Sequence, residues 1–257
     1  MKILNPAIDF DSFHNDINSS SNRILFLDYD GTLAPFKVHR DKAKPYPGVR
    51  KVLNSIIESE RTQVVIISGR WTKELVPLLG LNRNPEIWGS HGWERLKPDG
   101  TYEIAKIDEQ ALKVLADADK ITEDMGLEKR CEKKPACLAL HWRDLDIKQI
   151  SDIRKRVRET WSKLIFGTGL KIYNFDGGME IRIPGRNKGD AVRTVLSESG
   201  KKTICAYLGD DLTDEDAFKA IKQRGLGVLV REKFRETTAD LWLVPPEELL
   251  KFLKRWL

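Results

Sequence analysis

Residues 23–33, Arg-Ile-Leu-Phe-Leu-Asp-Tyr-Asp-Gly-Thr-Leu, end an apolar run in two aspartates one residue apart, Asp28 and Asp30. Side chains two apart on an extended strand point the same way. The spacing therefore predicts two carboxylates facing one small volume, with Gly31 letting the backbone turn just beyond them. Unpaired, they would repel, and one would take up a proton at neutral pH. A divalent cation, or a phosphoryl group arriving with its own metal, removes that conflict. Oxygen-only ligands that leave room for water suit Mg2+.

Three other places carry groups of matching chemistry. Ser68-Gly69-Arg70 ends a second apolar run and offers a hydroxyl, a close backbone approach and a guanidinium, all suited to an oxyanion at a helix N-terminus. Asn187-Lys188-Gly189-Asp190 opens a helical pattern, and Lys188 is a point cation able to reach a phosphate. A third apolar run leads into Gly209-Asp210-Asp211-Leu-Thr-Asp214-Glu215-Asp216, which reads as a metal site or a helix cap. Each has an ordinary reading as well. Serine caps helices for capping alone, a lone lysine is usually a solvated charge, and acids in a first helical turn complement its dipole. That last reading is preferred for Glu215 and Asp216. Adjacent Asp210 and Asp211 would repel without a counter-ion, and the four signals together in this order argue for one site.

Positioning them requires a particular scaffold. Apolar strands are expected at 23–28, 63–68, 86–89, 203–208, 226–230 and 241–244, alternating with helices at 48–60, 71–79, 187–199, 214–223 and from Glu247. Fully apolar strands between helices indicate a parallel sheet covered on both faces, an α/β Rossmann-like core that presents functional residues at its strand carboxyl ends. The middle differs in texture: strands at 101–104, 136–142, 170–175 and 178–183, helices near 108–120 and 147–163, and a hairpin signal at Phe175-Asp176-Gly177-Gly178-Met179. The expected organisation is a core of residues 1–95 and 185–257 interrupted by an inserted α+β cap at 96–184, hinged near Arg95 and 184–186.

Composition narrows the function. The 257 residues are 40% apolar with seven Trp, ample for a packed core. No segment has the apolar length of a membrane span or the pattern of a signal peptide, so a cytoplasmic location without membrane attachment is expected. Cys131, Cys137 and Cys205 lack metal or disulfide spacing and read as reduced core residues. The net charge of +5 comes from 44 basic and 39 acidic residues. Its one dense patch, 148–163, has Ile150, Ile153, Val157 and Trp161 on the opposite helical face, and no aromatic residues are interleaved with the cations. Nucleic-acid binding is therefore not expected; a field that attracts small anions accounts for the charge.

Taken together, the motifs resemble the haloacid dehalogenase superfamily of aspartate-nucleophile phosphatases: Asp28-x-Asp30-Gly-Thr its first motif, Ser68 its second, Lys188 its third, Asp210-Asp211 its fourth. The longer strings Leu27-Asp-Tyr-Asp-Gly-Thr-Leu-Ala-Pro35, Ile67-Ser-Gly-Arg70, His91-Gly-Trp-Glu94, Asn187-Lys-Gly189 and Gly209-Asp-Asp-Leu-Thr-Asp-Glu-Asp-Ala-Phe218 resemble the trehalose-6-phosphate phosphatase family, from about residue 23 onward. The resemblance implies that Asp28 is the nucleophile and forms an aspartyl-phosphate. Asp30 would be the acid and base, lending Mg2+ only its backbone carbonyl. Asp210 would be the direct carboxylate ligand, with Asp211 and Asp214 holding waters or orienting neighbours. Thr32, Ser68, Gly69, Arg70 and Lys188 would hold the phosphoryl group. It further implies that Lys133 or Lys134, His141, Arg143 and Glu180 of the cap meet the sugar, with His91 and Gly92 at the core–cap junction. The implied partner is a small sugar phosphate, with a functional link to the synthase that makes it. Two rivals stay open: hydrolysis of another sugar or glycoside phosphate, such as glucosylglycerol, mannosylglycerate or amino-sugar phosphate, and a non-catalytic sugar-phosphate sensor or synthase regulator.

Overall fold

A computed structural model describes residues 1–175, 177–222 and 224–257. The chain divides into two compact units, residues 1–103 with 187–257, and residues 104–186.

In the first unit the order is β1 (Lys2–Ile3), α1 (Phe10–Ser19), β2 (Arg23–Leu27), α2 (Val49–Glu58), β3 (Thr62–Ile67), α3 (Thr72–Leu79), β4 (Glu86–Gly89), β5 (Glu94–Leu96) and β6 (Tyr102–Ile104). In the second it is α4 (Glu109–Asp124), β7 (Cys131–Lys134), β8 (Cys137–His141), α5 (Ile147–Leu164), β9 (Lys171–Phe175) and β10 (Gly178–Arg182). The chain then returns to the first unit with α6 (Lys188–Glu198), β11 (Ile204–Gly209), α7 (Glu215–Ile221), β12 (Gly225–Val230), β13 (Leu241–Leu243) and α8 (Glu247–Leu253).

The large sheet runs β1-β13-β12-β11-β2-β3-β4-β5-β6. Its six central strands, β13 to β4, pair in parallel, while β1 and β5 join antiparallel. Every residue of β2 is buried, and alternation divides its side chains between two cores. Leu25 and Leu27, with Val64, Ile66 and Leu208, pack beneath α1, α2, α3 and α8. Ile24 and Phe26, with Val65, Ile67 and Tyr207, pack beneath α6 and α7. This is why the sequence shows unbroken apolar runs in place of alternation. The chain leaves β2 toward β3 on one side while β11 returns on the other, so β2 sits at the switch point where a crevice opens beyond the strand ends.

One expectation needs correction here. Residues 101–104 do not belong to the insertion's sheet: β5 and β6 extend the large sheet, so the first unit reaches Glu103. Their alternation of polar and apolar residues is equally suited to either sheet's edge, and tertiary pairing decides. The strand expected at 136–142 is β8, and β7 before it, for which no strand was expected, pairs with it in a hairpin turning at Pro135 and Ala136. The helix α1, whose polar residues outnumber its buried Phe10 and Ile17, was not anticipated. The hairpin joining β9 and β10 has the expected register, with Phe175 opposite Gly178; Asp176 of its turn, and Gln223 in the stretch read as helix 214–223, lie outside the described residues.

The second unit is a four-stranded antiparallel sheet, β7-β8-β10-β9, with one face on helices. Its alternation separates two chemistries. Leu138, Leu140, Met179 and Ile181 are buried on the helical side, where Lys133 of β7 pairs with Asp119 of α4 and Asn174 of β9 with Arg158 of α5. Glu132, Lys134, His141, Glu180, Arg182, Tyr173 and Phe175 alternate onto the other face.

Candidate active site

Backbone ladders at the ends of β2, β3, β4 and β11 hold the motif residues in place. The Asp28 amide donates to Leu208 O, and the Ser68 amide to Trp88 O, each at 2.9 Å. Beyond Asp28 the chain makes a tight turn in which Leu33 and Ala34 amides return to Tyr29 O. Gly31 adopts φ +81°, and a Cβ there would run into the Asp210 carboxylate. Glycine thus serves twice, allowing a left-handed backbone and making room for the acid that β11 delivers.

The ionic centre is buried. Lys188, the first residue of α6, is set by a capping box between Asn187 and Asp190. Its ammonium donates to Asp28 Oδ1 at 2.8 Å and Asp214 Oδ1 at 2.7 Å. Asp214 has no solvent exposure and also accepts from Tyr207 OH at 2.5 Å and from the Asp210 and Asp211 amides at 3.0 and 2.9 Å. Its carboxylate thereby organises the fourth motif. Among the described residues, the Asp210 carboxylate accepts only from Thr32 Oγ1, at 3.4 Å. Its Oδ2 is buried with no hydrogen bond, and the Arg231 guanidinium stands 4.0 Å away.

Charge does not balance in this cluster. Three carboxylates, Asp28, Asp210 and Asp214, gather with ligand atoms within 4.8 Å of one another around a single lysine. Burial pushes Asp28 up to about 7 despite the neighbouring Lys188, and Asp214 adds to the push. Burial and the Asp28 charge likewise raise Asp210 well above the carboxylate range. Burial pulls Lys188 down, but Asp214 and Asp28 outweigh it and keep it a cation. An all-oxygen set with surplus negative charge, a bare buried carboxylate oxygen and a glycine cradle fits a divalent cation.

The two opening aspartates do not share one volume. Asp28 turns to Lys188, whereas both Asp30 oxygens take a bidentate pair from Arg70, at 2.6 and 2.7 Å. The strand ends at Leu27, so the same-side rule for residues two apart no longer governs the turn that follows. Arg70 is held away from solvent by that pair and lies beside the Tyr29 ring. Asp30 and Asp211 carboxylates are outside the three-carboxylate group; Asp211 Oδ1 caps the Leu212 amide at 2.7 Å.

Ser68 is buried, and its hydroxyl accepts from the Arg70 amide at 3.2 Å. Gly69 lies directly under the His91 imidazole, too close for any side chain. His91 and Ser90 are left-handed, with φ of 59° and 48°, a conformation costly for non-glycine residues. Gly92 follows at φ +97° against Asn187 O. Amide bonds from His91 to Ser68 O and from Ser90 to Arg70 O knit this loop to the second motif. Glu94, with no exposure, accepts from Ser90 Oγ, from Thr72 Oγ1 at 2.9 Å and from Tyr102 OH at 3.1 Å.

In the second unit, the face away from the helices gathers ionisable groups in contact with one another. Glu132 Oε2 lies 3.0 Å from His141 Nε2 and 3.4 Å from Lys134 Nζ; Arg182 pairs with Glu180 and lies 4.6 Å over the Tyr173 ring. Glu180 is 3% exposed. Of the two lysines, Lys134 is on this face, whereas Lys133 is on the helical face with Asp119 at 2.5 Å. Arg143 does not continue the His141 strand face: β8 ends at His141, and Arg143 lies against Gly177 of the following hairpin turn.

The family model described as trehalose-phosphatase matches residues 26–242, a span that contains all four motifs and the entire second unit. The chain belongs to the trehalose-phosphatase family.

Members of this family are phosphoric monoester hydrolases. The chain is 30% identical to probable trehalose-phosphate phosphatase 4 of Oryza sativa subsp. japonica, over 90% of this chain and 65% of that protein. It is also 30% identical to probable trehalose-phosphate phosphatase H of Arabidopsis thaliana, over 95% and 75%. The chain thus spans about two thirds to three quarters of these relatives' length. In solved structures its fold matches the C-terminal domain of the C. albicans trehalose-6-phosphate phosphatase, with TM-score 0.80 at 22% identity over 100% and 99% of the two chains. It also matches a phosphatase of the haloalkanoate (HAD) superfamily from Bacteroides thetaiotaomicron, with TM-score 0.59 at 17% identity over 93% and 96%. The haloacid dehalogenase fold is therefore established. The same fold is seen in the C-terminal domain of a Candida albicans trehalose synthase regulatory protein, TM-score 0.70 at 13% identity over 100% and 99%.

Against this trehalose-phosphatase background, several contributors were invisible in the sequence. Tyr207 reads as an apolar strand residue, and its hydroxyl contact with Asp214 follows only from the register of β11. Glu94 was quoted in a motif, but its three hydroxyl donors come from Thr72, Ser90 and Tyr102, on three separate segments. Arg182, two residues from Glu180, had a usable signal: strand period 2 puts both on one face.

Proposed function

We propose that this chain hydrolyses trehalose 6-phosphate to trehalose and phosphate in a Mg2+-dependent reaction with Asp28 as nucleophile. The observation that carries the reading is the buried Asp28–Lys188–Asp214 chain beside an Asp210 carboxylate whose Oδ2 has no hydrogen bond among the described residues, at the switch point of a trehalose-phosphatase fold. Asp28 and Asp210, with the Asp30 carbonyl as the family resemblance implies, would hold Mg2+, whose charge keeps Asp28 ionised and offsets charge building on the phosphoryl oxygens. Asp214 and Asp211 support that set from behind.

Asp28 attacks phosphorus in line, the bond to the sugar oxygen breaks, and Asp30 delivers a proton to that oxygen. Asp30 then takes a proton from the water that hydrolyses the aspartyl-phosphate. Since Arg70 grips both Asp30 oxygens, the carboxyl must loosen from the guanidinium to carry its proton. Arg70 thus supports Asp30 more directly than it supports phosphate. Lys188, Thr32, Ser68 and the Gly69 backbone meet the phosphoryl oxygens. His91 and Gly92 shape the loop beside them.

For the sugar, the polar face of the second unit is the proposed recognition surface, a specificity cap. Glu180, Glu132, His141 and Lys134 supply the paired donors and acceptors that hydroxyls require, with Arg143 at the edge. Lys133 is replaced in this role by Lys134. The rival readings keep their separate tests: the phosphoryl-transfer residues are indifferent to which sugar leaves, and a regulator has no need of the complete nucleophile, lysine and metal set. We place the reaction after a sugar-phosphate synthase and in the cytoplasm. No helix among the described residues is long and apolar enough to cross a membrane.

A panel of sugar phosphates, with released phosphate measured with and without Mg2+, tests the proposal. Trehalose 6-phosphate is expected to give the highest kcat/KM, with activity lost in chelator. Another sugar phosphate ranking well above it would refute the substrate, and no release from any would refute the catalytic reading.

A further inference from the structure

We propose that Arg235, anchored by Glu215, is a positioning residue that sets the Asp210 carboxylate for its cation. The inference rests on the reading of Asp210 as a metal ligand. Strand β11 ends at Gly209, so the carbonyls of Asp210 and Asp211 have left the parallel ladder and need other partners. Both are met by one side chain from the segment between β12 and β13. Arg235 Nε donates to Asp210 O at 3.0 Å, and Nη2 donates to Asp211 O at 2.7 Å. The remaining nitrogen, Nη1, donates to Glu215 Oε1 at 2.5 Å and to Glu236 O at 2.8 Å. Arg231 adds a 3.3 Å bond to the same Asp210 carbonyl.

The anchor is itself built. Glu215 accepts from Thr237 Oγ1 at 2.7 Å, and from the Thr238 amide and hydroxyl at 2.8 and 2.7 Å. Burial alone would raise its pKa, but these donors, with Arg235, hold it below the usual range. Both side chains of the pair are largely covered, at 15% and 16% exposure. This arrangement solves an electrostatic problem. A lone guanidinium beside a cation site would repel the cation, whereas paired with Glu215 it fixes two carbonyls with no net charge. A fixed fork of donors is required, and a lysine ammonium cannot span these four acceptors. With the Asp210 backbone pinned on one side and its amide tied to Asp214 on the other, its carboxylate has one direction in which to point.

The test is direct cation binding to the full chain, by Mn2+ electron paramagnetic resonance and Mg2+ calorimetry, alongside kinetics. Arg235→Gln should weaken Mn2+ binding about tenfold, as loss of an outer-shell partner does, while kcat recovers at saturating metal. Arg235→Lys should fall between, and Thr238→Ala, which keeps Arg235 and loosens its anchor, should give a smaller shift in the same direction. Asp210→Asn is run in parallel. If Asp210→Asn abolishes Mn2+ binding but Arg235→Gln and Thr238→Ala bind as wild type does, the inference is overturned and the metal reading stands. If Asp210→Asn itself binds as wild type does, the metal reading fails and the inference with it.

Discussion

Replacing Asp28 with Asn should abolish turnover and, in chelator at pH 8, make the protein more stable. The Asp28 carboxyl is shifted from 3.8 to about 7, mostly because it is buried, with Lys188 pulling the other way. Because the folded-state value lies above the unfolded one, the native protein holds an extra proton across that window, and stability falls as pH rises through it. Three pKa units amount to about 4 kcal/mol at pH 8 and less than about 1 kcal/mol at pH 4, at ~1.4 kcal/mol per unit. Asn is nearly isosteric and never ionises, so it escapes that cost. For a chain of this size, about 4 kcal/mol corresponds to roughly 10 °C in Tm. Differential scanning calorimetry of both proteins in chelator, at pH 4, 6 and 8, reads the effect. The Asn variant should gain with rising pH, and Mg2+ should erase the gain by stabilising wild type alone. An Asn variant less stable than wild type at pH 8 in chelator, or a difference that does not change with pH, would refute the reasoning.

Other substitutions separate the remaining roles. Lys188→Met leaves Asp28 and Asp214 without their shared cation and should cost about 3–5 kcal/mol in denaturant unfolding without metal; a loss under about 1 kcal/mol would show that the cluster is not held by this charge. Asp30→Asn should slow sugar-phosphate hydrolysis by about 100-fold or more, yet slow the first-turnover burst of 4-nitrophenol from its phosphate far less, since that leaving group needs no proton, while steady turnover of both falls because Asp30 also activates the water; equal losses in the burst would argue against the acid role. Glu180→Gln and Lys134→Ala should raise KM for trehalose 6-phosphate about tenfold or more, on the scale of a lost charged hydrogen bond, and spare 4-nitrophenyl phosphate. Lys133→Ala, on the helical face, should change neither, and a KM effect from Lys133 equal to that of Lys134 would remove the basis for choosing between the two.

The parts of this fold legible in the sequence are those whose physics is local. Buried parallel strands such as 23–27 and 204–209 announce themselves as apolar runs because both faces are covered. The residues at their ends were legible for the same reason, since a charge that terminates such a run must sit in the crevice. What the strings could not carry was partner choice. Asp28 and Asp30 look like one pair, but the turn after Leu27 assigns one to Lys188 and the other to Arg70. Lys133 and Lys134 are chemically alike, and only strand register distinguishes the face of Glu132 from that of Asp119. Residues 101–104 were assigned to the wrong sheet, because an edge strand of three exposed residues has no pattern that names its neighbour. Glu215 looked like an ordinary first-turn acid, and its clamp on Arg235 lies twenty residues downstream.

The central claim, that Asp28 accepts the phosphoryl group of trehalose 6-phosphate, is tested most directly by acid-quenching the enzyme during turnover of substrate radiolabelled at phosphorus. The account predicts label on the protein that survives acid, is released by hydroxylamine and maps to the peptide containing Asp28, and that, with labelled 4-nitrophenyl phosphate, whose leaving group needs no acid, builds up further in Asp30→Asn. Turnover of trehalose 6-phosphate with no protein-bound label in either protein, or label that persists in Asp28→Asn, would contradict it.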